Sequence, residues 1–180
     1  MLVTEINPND ELWLSKVEAP QIITDANLFA WDDEADLVIA GLGGAGIAAA
    51  NEALDQGLTV IGIDKTNGGG ATAKSGGVYY AGGGTPIQIA AGVEDSAKNM
   101  FNYLIQETGD IVKKSTLKNF CDTSAENTQW LMDNGVQFDP SYYKIKTSYP
   151  GAGYFLYHSD NSLVPSYMEK SIPAPRGHRG

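Results

Sequence analysis

The sequence has 180 residues, 22 acidic and 12 basic side chains, and a formal net charge of −10. That length suits one domain with at most an incomplete second one, and 42% apolar against 19% charged residues exclude a disordered acidic tail. One cysteine and two histidines leave no disulfide framework and too few ligands for zinc, and no apolar run suits a membrane span or secretory leader, so the chain reads as reduced, soluble and cytoplasmic.

Residues 1–35 are weakly periodic, contain Pro8 and Pro20, and read as a loose arm with at most a short strand or turn. Up to Asp36 there are nine acids against Lys16 alone, so the net charge is concentrated there and the body is close to neutral. An arm of that sign repels phosphate backbones, which excludes a nucleic-acid partner; its plain reading is a solvated leader over the domain. Asp36-Leu-Val-Ile-Ala40 then forms a short apolar run of the kind buried on both faces of a parallel sheet. Gly41-Leu-Gly-Gly-Ala-Gly46 follows, then the helix formers Ile47 to Gln56, with Gly57 where a helix ends. Leu58 to Asp64 completes a strand–helix–strand unit whose connection suits a parallel sheet.

Residues 68–84 contain eight of the 21 glycines. A flexible linker needs neither Val78-Tyr-Tyr80 nor the donors Thr72, Lys74 and Ser75, so this stretch reads as backbone wrapped closely around something bulky. A helix is predicted from the N-cap Ser96 to Gly109, with Met100, Phe101, Leu104 and Ile105 on its apolar stripe. Another runs from about Ser115 to Asn134, with a possible break near Thr123-Ser124 and with Leu117, Phe120, Cys121, Trp130 and Leu131 turned inward. From Val136 to Gly180 the chain reads as irregular.

Gly41, Gly43 and Gly46 match the G-x-G-x-x-G fingerprint in its full context, with a strand before, a helix and strand after, and Asp64 at the end of that strand. Gly41 permits the tight turn, Gly43 leaves room for a pyrophosphate, and Gly46 lets the helix lie close on the strand. A helix starting near Gly44 offers unpaired N–H groups and its positive dipole end to an anion. Asp64 is suited to accept hydrogen bonds from an adenosine ribose, and its charge argues against a 2′-phosphate. This unit alone leaves NAD and FAD both open.

The second cluster, from Gly68 to Gly84, favours the flavin, because a NAD domain has no need of a second glycine-rich nest directly after the ribose-binding acid. Here the sequence resembles the flavoprotein family of fumarate reductase, the succinate dehydrogenase flavoprotein subunit and the 3-ketosteroid dehydrogenases. The resemblance rests on Asp36–Gly46, Thr59–Asp64, Gly69–Gly84, Trp130–Phe138 and Ala174–Arg179. Gly69-Gly-Ala-Thr-Ala-Lys-Ser-Gly-Gly77 followed by Tyr80-Ala-Gly-Gly-Gly84 is most similar to the ketosteroid-dehydrogenase-like branch.

That resemblance implies an α/β fold: a Rossmann-like FAD-binding domain with a parallel sheet, truncated, followed by the start of an α+β cap domain. Residues 1–35 would be the arm, 36–140 the first part of the FAD domain, and 141–180 the incomplete start of the substrate region. Gly41, Gly43, Gly44, Ala45 and Gly46 would cradle the FAD pyrophosphate, and Asp64 with Lys65 would meet the adenosine ribose. Gly70, Ala71, Thr72, Ser75, Gly76 and Gly77 would contact the flavin side. Some relatives attach FAD through a histidine in this cluster; residues 68–77 have none, so the resemblance implies non-covalent FAD. Family members are longer, so the chain reads as the N-terminal part of such a protein, inactive alone, with catalytic acid and base beyond it. The implied activity is oxidoreduction of a carbon–carbon bond beside a carbonyl or carboxylate in a steroid-like ketone or a dicarboxylate. A NAD-linked dehydrogenase domain and a non-catalytic dinucleotide-binding module are the alternatives.

The remaining candidates read as ordinary. Arg176, His178 and Arg179 form a cationic cluster that could bind an anion, but near Pro173 and Pro175 they suit a solvated loop. His158 suits a packed or surface histidine with Asp160 as its one nearby carboxylate. Tyr79, Tyr80, Trp130, Leu131 and Cys121 suit core positions.

Overall fold

The computed structural model describes residues 19–180. The first eighteen residues of the acidic arm therefore lie outside the described residues. The rest of the arm has one 3-10 turn, Ala26–Leu28, where the Asp25 carboxylate accepts from the Asn27 amide at 2.9 Å. The Trp31 ring N–H donates to the Ala26 carbonyl at 2.9 Å, which folds the arm back on this turn.

Two strands and a helix come next: β1 (Leu37–Ala40), α1 (Gly44–Asp55) and β2 (Val60–Ile63). β1 and β2 pair in parallel, with Leu37 opposite Val60 and Ala40 opposite Ile63. Asp36 pins the open end of the pair, its carboxylate accepting from the Thr59 amide at 2.9 Å and hydroxyl at 2.7 Å. The Thr59 amide holds the Asp36 carboxyl below the usual range. Gly57 follows the helix with a φ of +78°, the left-handed conformation expected after a helix end.

The expectation that β1 is buried on both faces is not met among the described residues. Its Val38 is 58% exposed, as is Ile63 of β2 at 53%. A parallel pair buries both faces only when layers cover both; α1 packs against these strands, and they belong to a sheet of two.

The remaining elements form a second, denser body. They are β3 (Val78–Tyr80), α2 (Pro86–Ala90), α3 (Ala97–Thr108), α4 (Lys114–Asp133), β4 (Tyr142–Tyr143), β5 (Leu156–Tyr157), α5 (Pro165–Met168) and β6 (Gly177–Arg179). A four-stranded sheet runs β3-β6-β5-β4, with β6 antiparallel to β3 and β5, and β4 parallel to β5. Tyr79 stands opposite His178, so segments about a hundred residues apart in sequence make its central pairing. The stretch after Val136 is thus not irregular throughout. Two- and three-residue strands are too short to show a period, which is why the sequence pattern misses them.

Helix α3 begins at the Ser96 cap, whose hydroxyl accepts from the Asn99 amide at 3.1 Å, and it ends at Gly109. It packs on α4, and Met100, Tyr103, Leu117 and Cys121 are buried. Burial pushes the Cys121 thiol up to about 11, so it remains a neutral apolar side chain. Helix α4 is continuous, without a break at Thr123-Ser124. The Thr123 hydroxyl donates back to the Asn119 carbonyl at 3.0 Å, and the Ser124 hydroxyl accepts from the Gly82 amide at 3.0 Å. The Thr123 hydroxyl thus shares a ladder carbonyl one turn back, and the Ser124 hydroxyl is engaged from outside by Gly82, yet the helix runs through both. Phe120, expected inward, is 39% exposed; Trp130 and Leu131 are half-buried.

Candidate cofactor-binding site

The first glycine turn is built as the fingerprint requires. Gly41 has a φ of +98° and donates its amide to the Ile63 carbonyl at 2.7 Å, bending the chain off β1. A Cβ on Gly46 would sit 2.0 Å from the Gly41 carbonyl oxygen, so only glycine allows the helix this close to the strand end. Gly43 caps α1 with extended backbone at φ −80°, and the Ile47 amide bonds its carbonyl at 3.0 Å. The amides of the first helical turn are left over, and its residues Gly44, Ala45 and Gly46 carry no charge.

The second glycine cluster lies directly against this turn. The Gly69 amide donates to the Leu42 carbonyl at 2.7 Å. A Cβ on Gly70 would meet the Gly43 Cα at 3.1 Å, and one on Gly44 would meet the Thr72 hydroxyl oxygen at 2.9 Å. Gly68, Gly69 and Gly70 all have positive φ, between +52° and +82°, and turn the chain into the 3-10 turn Thr72–Lys74. The two backbones thus touch at 42–44 and 69–72.

Beside this contact is an open cleft of about 870 Å³, walled by Gly41, Asp64, Lys65, Thr66, Gly70 and Lys74 among others. A separate hollow of about 420 Å³ is bordered by Gly43, Gly44, Ile47, Thr72, Trp130 and Leu131. Of the sequence-predicted residues, Gly41, Asp64, Lys65 and Gly70 border the cleft; Gly43, Gly44 and Thr72 border the hollow. Ala45 and Gly46 lie in the first turn of α1 behind them, and Ala71 caps the 3-10 turn. Ser75, Gly76 and Gly77 border neither space; the Ser75 hydroxyl instead accepts from the Gly77 amide at 3.2 Å.

Asp64 is more engaged than a ribose acceptor needs to be. One oxygen accepts from the Leu42 amide at 2.7 Å, and the other from the Thr66 amide and hydroxyl at 2.7 and 2.8 Å. The Leu42 amide, then Thr66, hold this carboxyl below its ordinary range. The oxygen that accepts from Leu42 still has a lone pair for a ligand hydroxyl, whereas the two bonds from Thr66 occupy the other. Lys74, Thr66 and Asn67 also line the cleft. Lys74 had a visible signal as a donor inside the glycine cluster, whereas Thr66 and Asn67 had none.

Arg176 and His178, read from the sequence as a solvated loop, are instead sealed at 0% exposure. The Arg176 guanidinium donates twice to Asp95, at 2.9 and 3.0 Å, and lies over the Tyr103 ring. Burial opposes the Asp95 charge, but the Arg176 hydrogen bond and charge prevail and lower its carboxyl. The third nitrogen, Nη1, has no hydrogen-bond partner among the described residues and stands 3.7 Å from Asp160, which accepts from the Tyr80 hydroxyl at 2.8 Å. His178 Nδ1 faces the Arg176 carbonyl at 3.1 Å and so carries the proton; Nε2 then accepts from the Thr85 hydroxyl at 3.0 Å. Gln88 joins the same group, donating to the Pro175 carbonyl and accepting from the Gly84 and Thr85 amides. Thr85-Pro-Ile-Gln88 carries a capping-box signature that marks α2 in the sequence. Arg179 is half-buried, over the Tyr149 ring. His158 is buried against the Tyr142 hydroxyl at 2.8 Å.

Among the described residues no group of three or more His, Cys, Asp or Glu side chains is placed to hold a metal ion. No helix there is long and apolar enough to cross a membrane.

Comparison with known proteins agrees with this geometry. The FAD binding domain family model matches residues 36–163. The chain is 39% identical over 160 residues to a 3-oxo-5-alpha-steroid 4-dehydrogenase of Comamonas testosteroni, covering 87% of this chain and 30% of that protein. It is 30% identical over 106 residues to an NADH:fumarate oxidoreductase of Klebsiella pneumoniae, covering 58% of this chain and 11% of that protein. The crystal structure of 3-ketosteroid-delta4-(5alpha)-dehydrogenase from Rhodococcus jostii RHA1, in complex with 4-androstene-3,17-dione, superposes with a TM-score of 0.78 at 39% identity. That match covers 84% of this chain and 32% of the other. The chain thus spans about a third or less of the length of these relatives. A model matching most of the sequence, with two glycine stretches meeting beside an open cleft, shows that the chain belongs to the FAD-binding domain family of flavin oxidoreductases, related to the 3-ketosteroid dehydrogenases and fumarate reductases.

Proposed function

We propose that this chain supplies the dinucleotide-binding wall of a flavin-dependent oxidoreductase acting on a carbon–carbon bond beside a carbonyl, with a steroid-like ketone as substrate class and a dicarboxylate as the second. The observation that carries this reading is the contact of the two glycine stretches, Gly43 against Gly70 and Gly44 against Thr72, with the cleft and the hollow both bordered by residues of the two stretches. The steroid named for the Rhodococcus structure and the substrate in the Comamonas protein's name favour the ketone.

The residues present suit FAD on their own terms. Unpaired amides at the start of α1 suit the diphosphate, and Gly41, Gly43 and Gly70 keep side chains out of its path. Asp64 holds the turn by its Leu42 bond and keeps one lone pair on that oxygen for a ribose hydroxyl. Residues 68–77 contain no histidine, cysteine or tyrosine, which supports non-covalent attachment. β1, α1 and β2 with the glycine turn between them support the Rossmann-like reading, with residues 141–180 as the start of a substrate-facing region. Bound FAD supplies two-electron chemistry that side chains cannot; the chain's part is to grip, orient and exclude water.

The test is Gly43→Val. Gly43 has an ordinary φ, and a Cβ there would find the Gly70 Cα at a comfortable 3.8 Å, so the backbone tolerates a side chain. The two methyls would fill the space between the stretches. Flavin content should fall at least tenfold while circular dichroism stays that of the parent. A variant that retains its flavin refutes the reading.

A further inference from the structure

We infer that Lys74 is the cation that balances the FAD diphosphate in this cleft, a deepening that rests on the FAD reading above. A diphosphate bridge carries two negative charges, and its surroundings must supply positive charge to hold it away from bulk water. The start of α1 contributes about half an elementary charge, and its first turn has no charged side chain. Among the described residues, the charged groups lining the cleft are Asp64, Lys65 and Lys74.

These three are not equivalent. Lys65 directly follows Asp64, the acid read as the ribose acceptor, and its charge is the smallest of the influences that lower that carboxyl. Lys74, which like Lys65 makes no ion pair among the described residues, is carried instead by the second glycine stretch, whose Gly68 and Gly70 also line the cleft. Its backbone is fixed at the end of the 3-10 turn, with its own amide bonded to the Ala71 carbonyl at 3.1 Å and the next amide to Thr72 at 3.1 Å. That turn hangs from the contact of Gly69 with Leu42, so the ammonium is carried by the same backbone that touches the phosphate-side turn. Lys74 is also exposed, so it holds no part of the core and its loss leaves the fold intact.

The experiment titrates FAD into the flavin-stripped full protein and its variants, reading flavin fluorescence at several salt concentrations. Lys74→Met, which keeps the stem and removes the charge, should weaken FAD binding about tenfold or more, the loss expected of a charge-assisted contact. It should also flatten the salt dependence, and Lys74→Arg should restore most of both. Lys65→Met should cost clearly less. Parental affinity and salt slope in Lys74→Met, or a larger loss in Lys65→Met, overturns the assignment while leaving FAD binding in place. A parent protein that takes up no FAD at any salt overturns the FAD reading itself, and this inference with it.

Discussion

The two bodies of the molecule are stabilised in opposite ways. In the β1–α1–β2 unit little is buried: Ala53 is the one fully enclosed residue of α1, and apolar side chains of both strands face outward. Its shape is set by backbone contacts, namely Gly46 on Gly41, Leu42 on Gly69 and Asp64 across the turn. The sheet-and-helix body instead seals charge and polarity inside, around Arg176, His178, Gln88 and Thr85. The first unit leaves the amides of its first helical turn unpaired, whereas the second body pairs its buried polar side chains internally apart from Arg176 Nη1.

Arg176→Met tests this contrast most severely. It leaves Asp95 buried without its partner, a loss of about 3–5 kcal/mol for a broken buried pair. Urea melts followed by tyrosine fluorescence should show a matching fall in midpoint; a change below about 1 kcal/mol would mean the pair is not a linchpin of the second body.

Gly46→Ala strikes the other body. The added carbon meets a carbonyl oxygen at 2.0 Å, so α1 must shift off β1. The expected cost is about 1–3 kcal/mol, as for overpacking, with loss of FAD binding and little effect on amide-exchange protection in α3 and α4. Equal loss of protection there would show that the two bodies unfold as one.

The mildest test is pH. Burial depresses the pKa of His178 below the ordinary 6.5, against backbone bonds at Arg176 and Tyr79 that raise it, and His158 shifts the same way. The unfolded chain therefore binds more protons than the folded one just below pH 6.5, so stability is full above that pH and declines as acid is added, through the depressed folded values. Thermal midpoints measured from pH 7.5 to 5 should fall, and less steeply in His178→Asn. An unchanged slope in that variant would remove His178 as a source.

Legibility followed the same division. The strand, turn and helix from Asp36 to Asp64 were readable because a period, three spaced glycines and a terminal acid act within thirty residues. The caps Ser96 and Gly109 were equally local. What stayed hidden was long-range: nothing near Arg176 announces Asp95 eighty-one residues earlier, and nothing in Gly177-His-Arg179 announces its pairing with Val78–Tyr80. Proline-flanked basic residues look solvated until a partner encloses them. At the candidate site, Gly41 and Asp64 were legible by spacing. That Ser75–Gly77 lie off the cleft depends on how the turn Thr72–Lys74 aims the chain, which composition does not specify.

The union of Tyr79 with His178 has a consequence for how the molecule is made. On a ribosome adding about 5–20 residues per second, the segment carrying Tyr79 waits roughly five to twenty seconds before the strand that completes it exists. During that interval its tyrosines and the adjoining glycines are bare, and the glycine turn near the start of the chain can close first. The glycine turn at 41–46 can therefore form before the strand Gly177–Arg179 arrives to complete the four-stranded sheet.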